Sequence, residues 1–290
     1  MDVKELVPLL AQGALFLIIA SFGLKAHARD LLAAIRHSGL LLRGIIAVNI
    51  VVPAAAVLIT SLLPIDPIVR IGIVLMAVSP LAPLVPGKLM KGGLDASTAV
   101  GLYVALILTA IFFVPATLAL LSAIYPADAS ISAAAIAKLV LFTILVPVAL
   151  GVAVASWVPS LAPGLSKIAL IVGWVAVAIL VVMILIKQGG AIAGLVGDGS
   201  VFAIAVTVAA GLAAGHLLGG PHIANSNALA VAAAIRHPGI AALIVHQNFS
   251  DQRVMLAVIL FLLTSVVVVT IYQLWLKRRL RPDEGSPQPA

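Results

Sequence analysis

Val231–Leu243 reads VAAAIRHPGIAAL, an apolar run of small and branched residues with Arg236, His237, Pro238 and Gly239 at its centre. A charge at the middle of a membrane-length helix costs at least ~2.5–3.5 kcal/mol on insertion scales, so Arg236 marks a functional or structural demand. Pro238 has no N–H for the carbonyl of Ala234, and it drives His237 toward extended backbone. Gly239 makes non-helical conformation easy. The helix is therefore expected to open over Arg236–Gly239. In lipid that is tolerable only where the backbone is buried in protein or lines a water-filled cavity. A second stretch, AVSPLAPLVPGK (Ala77–Lys88), places Pro80, Pro83 and Pro86 every third residue. They are expected to free the carbonyls of Met76, Ser79 and Ala82 in turn.

The surrounding composition explains why such breaks matter. Of 290 residues, 63% are hydrophobic and 9% charged, against about a quarter charged in an ordinary soluble domain. The chain reads as an all-α membrane protein. Its formal charge of +7 comes from 17 Lys and Arg against 10 Asp and Glu. These basic residues form short clusters between apolar runs, the pattern of cytoplasmic loops and not of a nucleic-acid surface. With no cysteine, disulfides, thiolate metal sites and a Cys nucleophile are excluded. Asp2 and Glu5 stand where a signal peptide would be basic, so the first apolar run reads as a span.

A bilayer core of roughly 30 Å needs about 20 apolar residues per helix, which predicts about nine spans. They lie near Leu6–Leu24, Leu40–Leu62, Pro67–Leu89, Ala96–Ile124, Ala133–Trp157, Leu165–Ile186, Val201–Leu218, Ala224–Val245 and Val254–Leu276. Lys25, Arg29, Arg36, Lys88, Lys91, Lys167 and the run KRRLR then share one side. The linkers PIDP, YPADAS, GGAIAGLVGDGS and HQNFSDQ on the other side are acidic or polar. The N-terminus is expected outside and the C-terminus in the cytoplasm, in a plasma membrane such as the bacterial inner membrane, with a cytoplasmic tail over 279–290 whose composition reads as disordered.

The interrupted spans are the third and the eighth. An odd offset makes them cross the membrane in opposite directions, as an inverted repeat requires, and paired interruptions point to a midplane site. On these residues, SPLAPLVPGKLMKGGLDASTAVGLYVAL (Ser79–Leu106) and LAVAAAIRHPGIAALIV (Leu229–Val245), the chain resembles the bile acid:sodium symporter superfamily, and the spacing of apolar runs agrees along nearly its whole length. The resemblance implies two inverted repeats with broken crossing helices. It also implies a panel domain of spans 1, 5 and 6 (1–38 and 130–190) against a core domain of spans 2–4 and 7–9 (39–129 and 191–278), with substrate bound between them.

Sodium-coupled members of that family use a Ser-Asn pair, a Glu-x-Gly-Met-Gln run, hydroxyls at the start of the next helix and a Gln on the second span. Here the matching positions hold Pro83 and Leu84, Ala232 and Arg236, Ser97 and Gly101, and Val48 beside Asn49. Side chains able to ligate sodium are mostly gone, so family-type sodium binding is expected to be lost. No cofactor is implied, and the six His show no ligand spacing for a metal.

The guanidinium of Arg236 offers a permanent positive charge and a planar fork for a carboxylate or phosphate. Pro238 and Gly239 set the N-terminal end of the following half-helix at the same point. Arg236 has two roles open to it: anion partner, or lock on the carbonyls of Ala232–Ile235. His237 either titrates in a proton-coupled cycle or makes a local hydrogen bond. Asn49 is expected to line the site, Ser79 to satisfy backbone, and Pro80, Pro83 and Ser97 to complete its surroundings. Asp95 is expected to cap the fourth span.

The function expected is secondary transport of a small organic anion by alternating access, proton-coupled or by uniport. The alternatives are sodium-dependent organic anion or bile acid symport, and a non-transporting membrane sensor. No GxSxG, HExxH or paired intramembrane carboxylates point to an enzyme. The expected partners are the bilayer and the anion; substrate and oligomeric state are not encoded legibly.

Overall fold

The computed structural model describes residues 3–26, 38–124, 131–197 and 199–279. Arg29, Arg36, the stretch YPADAS that begins at Tyr125, and the residues beyond Arg279 lie outside the described residues. The elements in chain order are α1 (Val3–Gly23), α2 (Ser38–Leu62), α3 (Pro67–Val78), α4 (Val85–Lys91), α5 (Ala96–Ile124), α6 (Ala134–Trp157), α7 (Ala162–Ala193), α8 (Ser200–Leu218), α9 (Ile223–Ala234), α10 (Pro238–Asn248) and α11 (Arg253–Arg279). Six of them, α2, α5, α6, α7, α8 and α11, are long and apolar enough to cross a membrane, and α1, α3 and α9 contribute shorter apolar helices. The chain is an all-α integral membrane protein.

Helix starts follow local chemistry. Asp66 accepts from the Ile68 N–H at 2.7 Å with Pro67 at the first position of α3. Asp95 accepts from the Thr98 N–H at 2.9 Å to open α5, and Ser132 Oγ from the Ala135 N–H at 3.2 Å to open α6. Each satisfies a donor that no intrahelical carbonyl can reach.

Without a hydrophobic drive between helices in lipid, close approach depends on small residues. Gly23 of α1 and Gly151 of α6 each lie against the other helix's backbone, and Gly215 of α8 against the backbone of α9, so that a Cβ at any of them would overlap it. Ser226 to Ala234 of α9 are all buried, which makes α9 the most enclosed helix of the core. α7 is the opposite case: only 11% of its most apolar window is buried, and Ile168, Trp174, Ile179 and Ile186 face outward. At 32 residues it is also longer than the span expected over Leu165–Ile186.

Contacts place the charges at two ends. Arg43 lies against Gly220, whose carbonyl accepts from Ser226 Oγ. The neighbouring Asn227 packs on Gly92 and accepts from Gln273 Nε2 at 2.7 Å. Ser166 Oγ donates to Ser21 O, which brings the start of α7 to the end of α1. Arg43, Lys88, Lys91, Lys167 and Lys277–Arg279 therefore belong to one end. Asp66 acts electrostatically on Arg253, itself paired with Asp251, at the other. It follows that α3–α4 runs from the acidic end to the basic end and α9–α10 runs the reverse way.

Two helices carry a π turn that the sequence reading passed over as continuous span: Ala47–Val51 in α2 and Leu141–Leu145 in α6. Each is followed by Val-Pro. The Val52 N–H donates to Ala47 O instead of Val48 O, and Pro53 has no N–H to offer. Val48 O is thereby left without a helical donor, and the same shift operates from Val146 to Leu141 O ahead of Pro147.

Candidate functional site: the crossing of two broken helices

Both breaks obey one rule, an extended residue directly before a proline. Ser79, before Pro80, ends α3 with φ −61° and ψ 147°; His237, before Pro238, precedes α10 with φ −84° and ψ 101°. The extended segments meet in an antiparallel bridge at Leu81 and Arg236. The Ala82 N–H donates to Ile235 O at 3.1 Å and the His237 N–H to Pro80 O at 2.7 Å. Backbone groups released by one break thus satisfy those released by the other, as burial in lipid demands.

Arg236, 1% exposed, lies at the centre of this crossing. Its Nη2 donates to Val48 O at 2.8 Å and its Nη1 to Ser79 O at 3.2 Å, while Nε is buried without a partner. Ser79 O is one of the carbonyls expected to be freed, because Pro83 cannot donate to it; Val48 O is free because of the π turn. The guanidinium therefore joins α2 to both broken pairs. The alternative of a lock on the Ala232–Ile235 carbonyls is corrected here: Ile235 O is taken by Ala82, and the carbonyls that Arg236 holds belong to other helices. Among the described residues no carboxylate pairs with Arg236, so its charge faces only carbonyl dipoles.

His237, also buried, accepts from the Gly239 N–H through Nδ1 at 3.1 Å and caps α10. That bond assigns the ring proton to Nε2, which is buried without a partner. The ring makes a local hydrogen bond as an acceptor. Ser79 Oγ donates to Leu75 O at 2.8 Å, the backbone role expected of it.

The crossing gathers Arg236, His237, Pro238, Gly239, Ser79, Pro80 and Pro83. Leu84 stands at the N-cap position of α4 beside them without a capping bond, and Ala232 lies within buried α9. Asn49 is next to Val48 but donates through Nδ2 to Thr109 Oγ1 of α5 at 3.0 Å, and Thr109 Oγ1 donates onward to Leu106 O. Ser97 belongs to a different arrangement, the first turn of α5. There the Thr98 N–H, aided by the Thr98 side chain and the Ser97 N–H, holds the Asp95 carboxyl below its ordinary range. The residues missed from sequence are Val48 and Pro53. A Val-Pro pair at mid-span was the available signal.

A comparison with curated proteins finds no match to this sequence. The family model described as the Sodium Bile acid symporter family matches residues 13–197, more than half of the 290-residue chain and all of it ahead of the second broken segment. With the broken crossing helices and membrane-length apolar helices already described, the match makes the assignment: the chain belongs to the sodium bile acid symporter family, a family of membrane transporters.

Proposed function

We propose that the protein is a secondary transporter of small organic anions that works by alternating access without family-type sodium coupling. The observation that carries this reading is the Arg236 guanidinium, buried against Val48 O and Ser79 O with no carboxylate partner among the described residues. Two consequences follow from its charge. A second cation within about 4 Å would meet roughly 4 kcal/mol of repulsion at an effective dielectric of about 20, and carbonyls that would otherwise suit a cation are occupied by a tethered one. An anion arriving beside the crossing meets an uncompensated positive charge at low dielectric, where the attraction is strong.

In this reading Arg236 draws the anion mainly by its field, since both Nη groups are held by carbonyls. His237, Pro238 and Gly239 shape the adjoining start of α10, and Asn49, Ser79, Pro80 and Pro83 form the surroundings. About nine spans divide into a panel of α1, α6 and α7 and a core of the remaining helices, and substrate moves between outward and inward exposure as they shift. The packing of α1 on α6 and α7 supports that division. The basic end faces the cytoplasm by the positive-inside rule, and the energy source is a proton gradient or the substrate gradient itself.

The test is uptake of labelled carboxylates and organophosphates into proteoliposomes under sodium, potassium or a pH gradient. Uptake is expected with potassium alone. Uptake that requires sodium would overturn the coupling, and no uptake of any anion would favour the sensor role.

A further inference from the structure

We propose that the groove between α8 and α11 is a binding site for one anionic phospholipid. The groove is a cavity of about 530 Å³, within the size range of small-molecule sites. Ala209 and Ala213, one helical turn apart on α8, leave its floor open, and Leu217 continues the same face. Its lining is apolar apart from the neck, where His216 Nδ1 and Tyr272 Oη are hydrogen-bonded at 2.7 Å and tie the two helices together. The Trp275 ring stands edge-on to His216 and beside Tyr272. Arg279 lies over Trp275 at 4.7 Å, flanked by Lys277 and Arg278, all three exposed.

The arrangement is apolar along its length, aromatic at the depth where membrane and water meet, and cationic at its mouth. That order matches an acyl chain, a glycerol backbone and a phosphate headgroup. Arg279 is held by the indole with its guanidinium at the lip, where it can donate to phosphate oxygens. The cations also select the occupant. A second copy docked through this face by a two-fold axis would bring two clusters of like charge together, whereas an anionic leaflet supplies their counter-ions.

The experiment uses the full chain purified in a neutral detergent, with phosphatidylglycerol and phosphatidylcholine of identical acyl chains, read by native mass spectrometry and by melting temperature. Phosphatidylglycerol is expected to stay bound and raise the melting temperature, and phosphatidylcholine to be retained at least tenfold less. Removing the cations with Lys277→Gln, Arg278→Gln and Arg279→Gln together should lower phosphatidylglycerol retention to the phosphatidylcholine level. Ala213→Phe, whose side chain points outward into the groove, should abolish retention of both, and each variant's melting temperature in detergent alone checks its fold. Equal retention of the two lipids, or a phosphatidylglycerol preference that survives either change, would overturn the proposal. A matching rise with glycerol phosphate alone would reassign the site to a free anion and overturn it equally.

Discussion

Arg236 Nη2 donates to Val48 O across 188 positions of sequence, and that carbonyl is available because of a proline five residues further along α2. Pro53 cannot donate, the Val52 N–H turns back to Ala47 O, and Val48 O is exposed to the guanidinium. A mid-span proline in α2 and the broken helices of the crossing are thereby one hydrogen-bonded unit. The unit carries a charge into the protein interior, where losing a partner is costly.

Replacing Pro53 therefore tests whether the unit is real. Proline to alanine inside an ordinary helix gains about 3 kcal/mol. Here Pro53→Ala supplies a new N–H that competes for Val48 O, so the gain should be largely cancelled. In a double-mutant cycle with Arg236→Gln, measured by unfolding in detergent, the coupling energy is expected to be about 1–2 kcal/mol. Additive effects would mean that the two residues act independently.

Asp95 gives a pH-dependent signature away from the bilayer. Its folded carboxyl titrates below the ordinary value, chiefly because the Thr98 N–H bonds to the charged form. A depressed folded value contributes stability above the unfolded value and loses it as pH falls through the folded one. Asp95→Ala should cost about 1 kcal/mol at neutral pH, as the loss of a helix cap does. The difference from wild type should vanish once the carboxyl is protonated, well below pH ~4. A cost that is the same at pH 3 and pH 7 would show that the charged cap is not its source.

The crossing was partly legible in the sequence, and the part that was not has a physical reason. Pro80 and Pro238 announce their breaks because a missing N–H and a restricted preceding residue act locally; His237 is extended as expected, and Ser79 is extended by the same rule. Ser79 Oγ bonding back to Leu75 O is equally local. Which group would meet a freed carbonyl is a tertiary question. Ile235 O went to Ala82 and Ser79 O to Arg236, and periodicity holds no information about either. The π turns were missed because a lone Pro in a span reads as a kink, while the shift to a five-residue hydrogen bond depends on what packs beside it. Asn49 was assigned to the site from its membrane depth alone, and its partner Thr109 is on a helix that sequence cannot place next to it.

Topology follows from the two ends. Because Arg43, Lys88, Lys91 and Lys277–Arg279 share one end and Asp66 and Asp251 the other, a C-terminal tag is expected on the cytoplasmic side and an N-terminal tag outside. Protease protection of tagged protein in intact spheroplasts and inverted vesicles reads this directly. Both tags on one side would require an even number of crossings and would undo the assignment of α1 as a span.

The charge of Arg236 and its fork make separable predictions. Arg236→Gln removes the cation and at least one of the two bonds to Val48 O and Ser79 O. Each bond to a charged group is worth about 1.5–3 kcal/mol, partly offset because a buried charge also disappears. A lower melting temperature is expected, together with loss of stabilisation by carboxylates and organophosphates. Arg236→Lys keeps the charge as a compact ammonium but cannot hold two carbonyls in one plane. If the field attracts the anion while the fork braces the crossing, the lysine variant should melt lower than wild type and still be stabilised by anions. Were the fork itself the anion's partner, lysine would lose that stabilisation as glutamine does. Anion stabilisation undiminished in Arg236→Gln would show that the buried cation braces the crossing and nothing more, and the case for an anionic substrate would then rest on family membership alone.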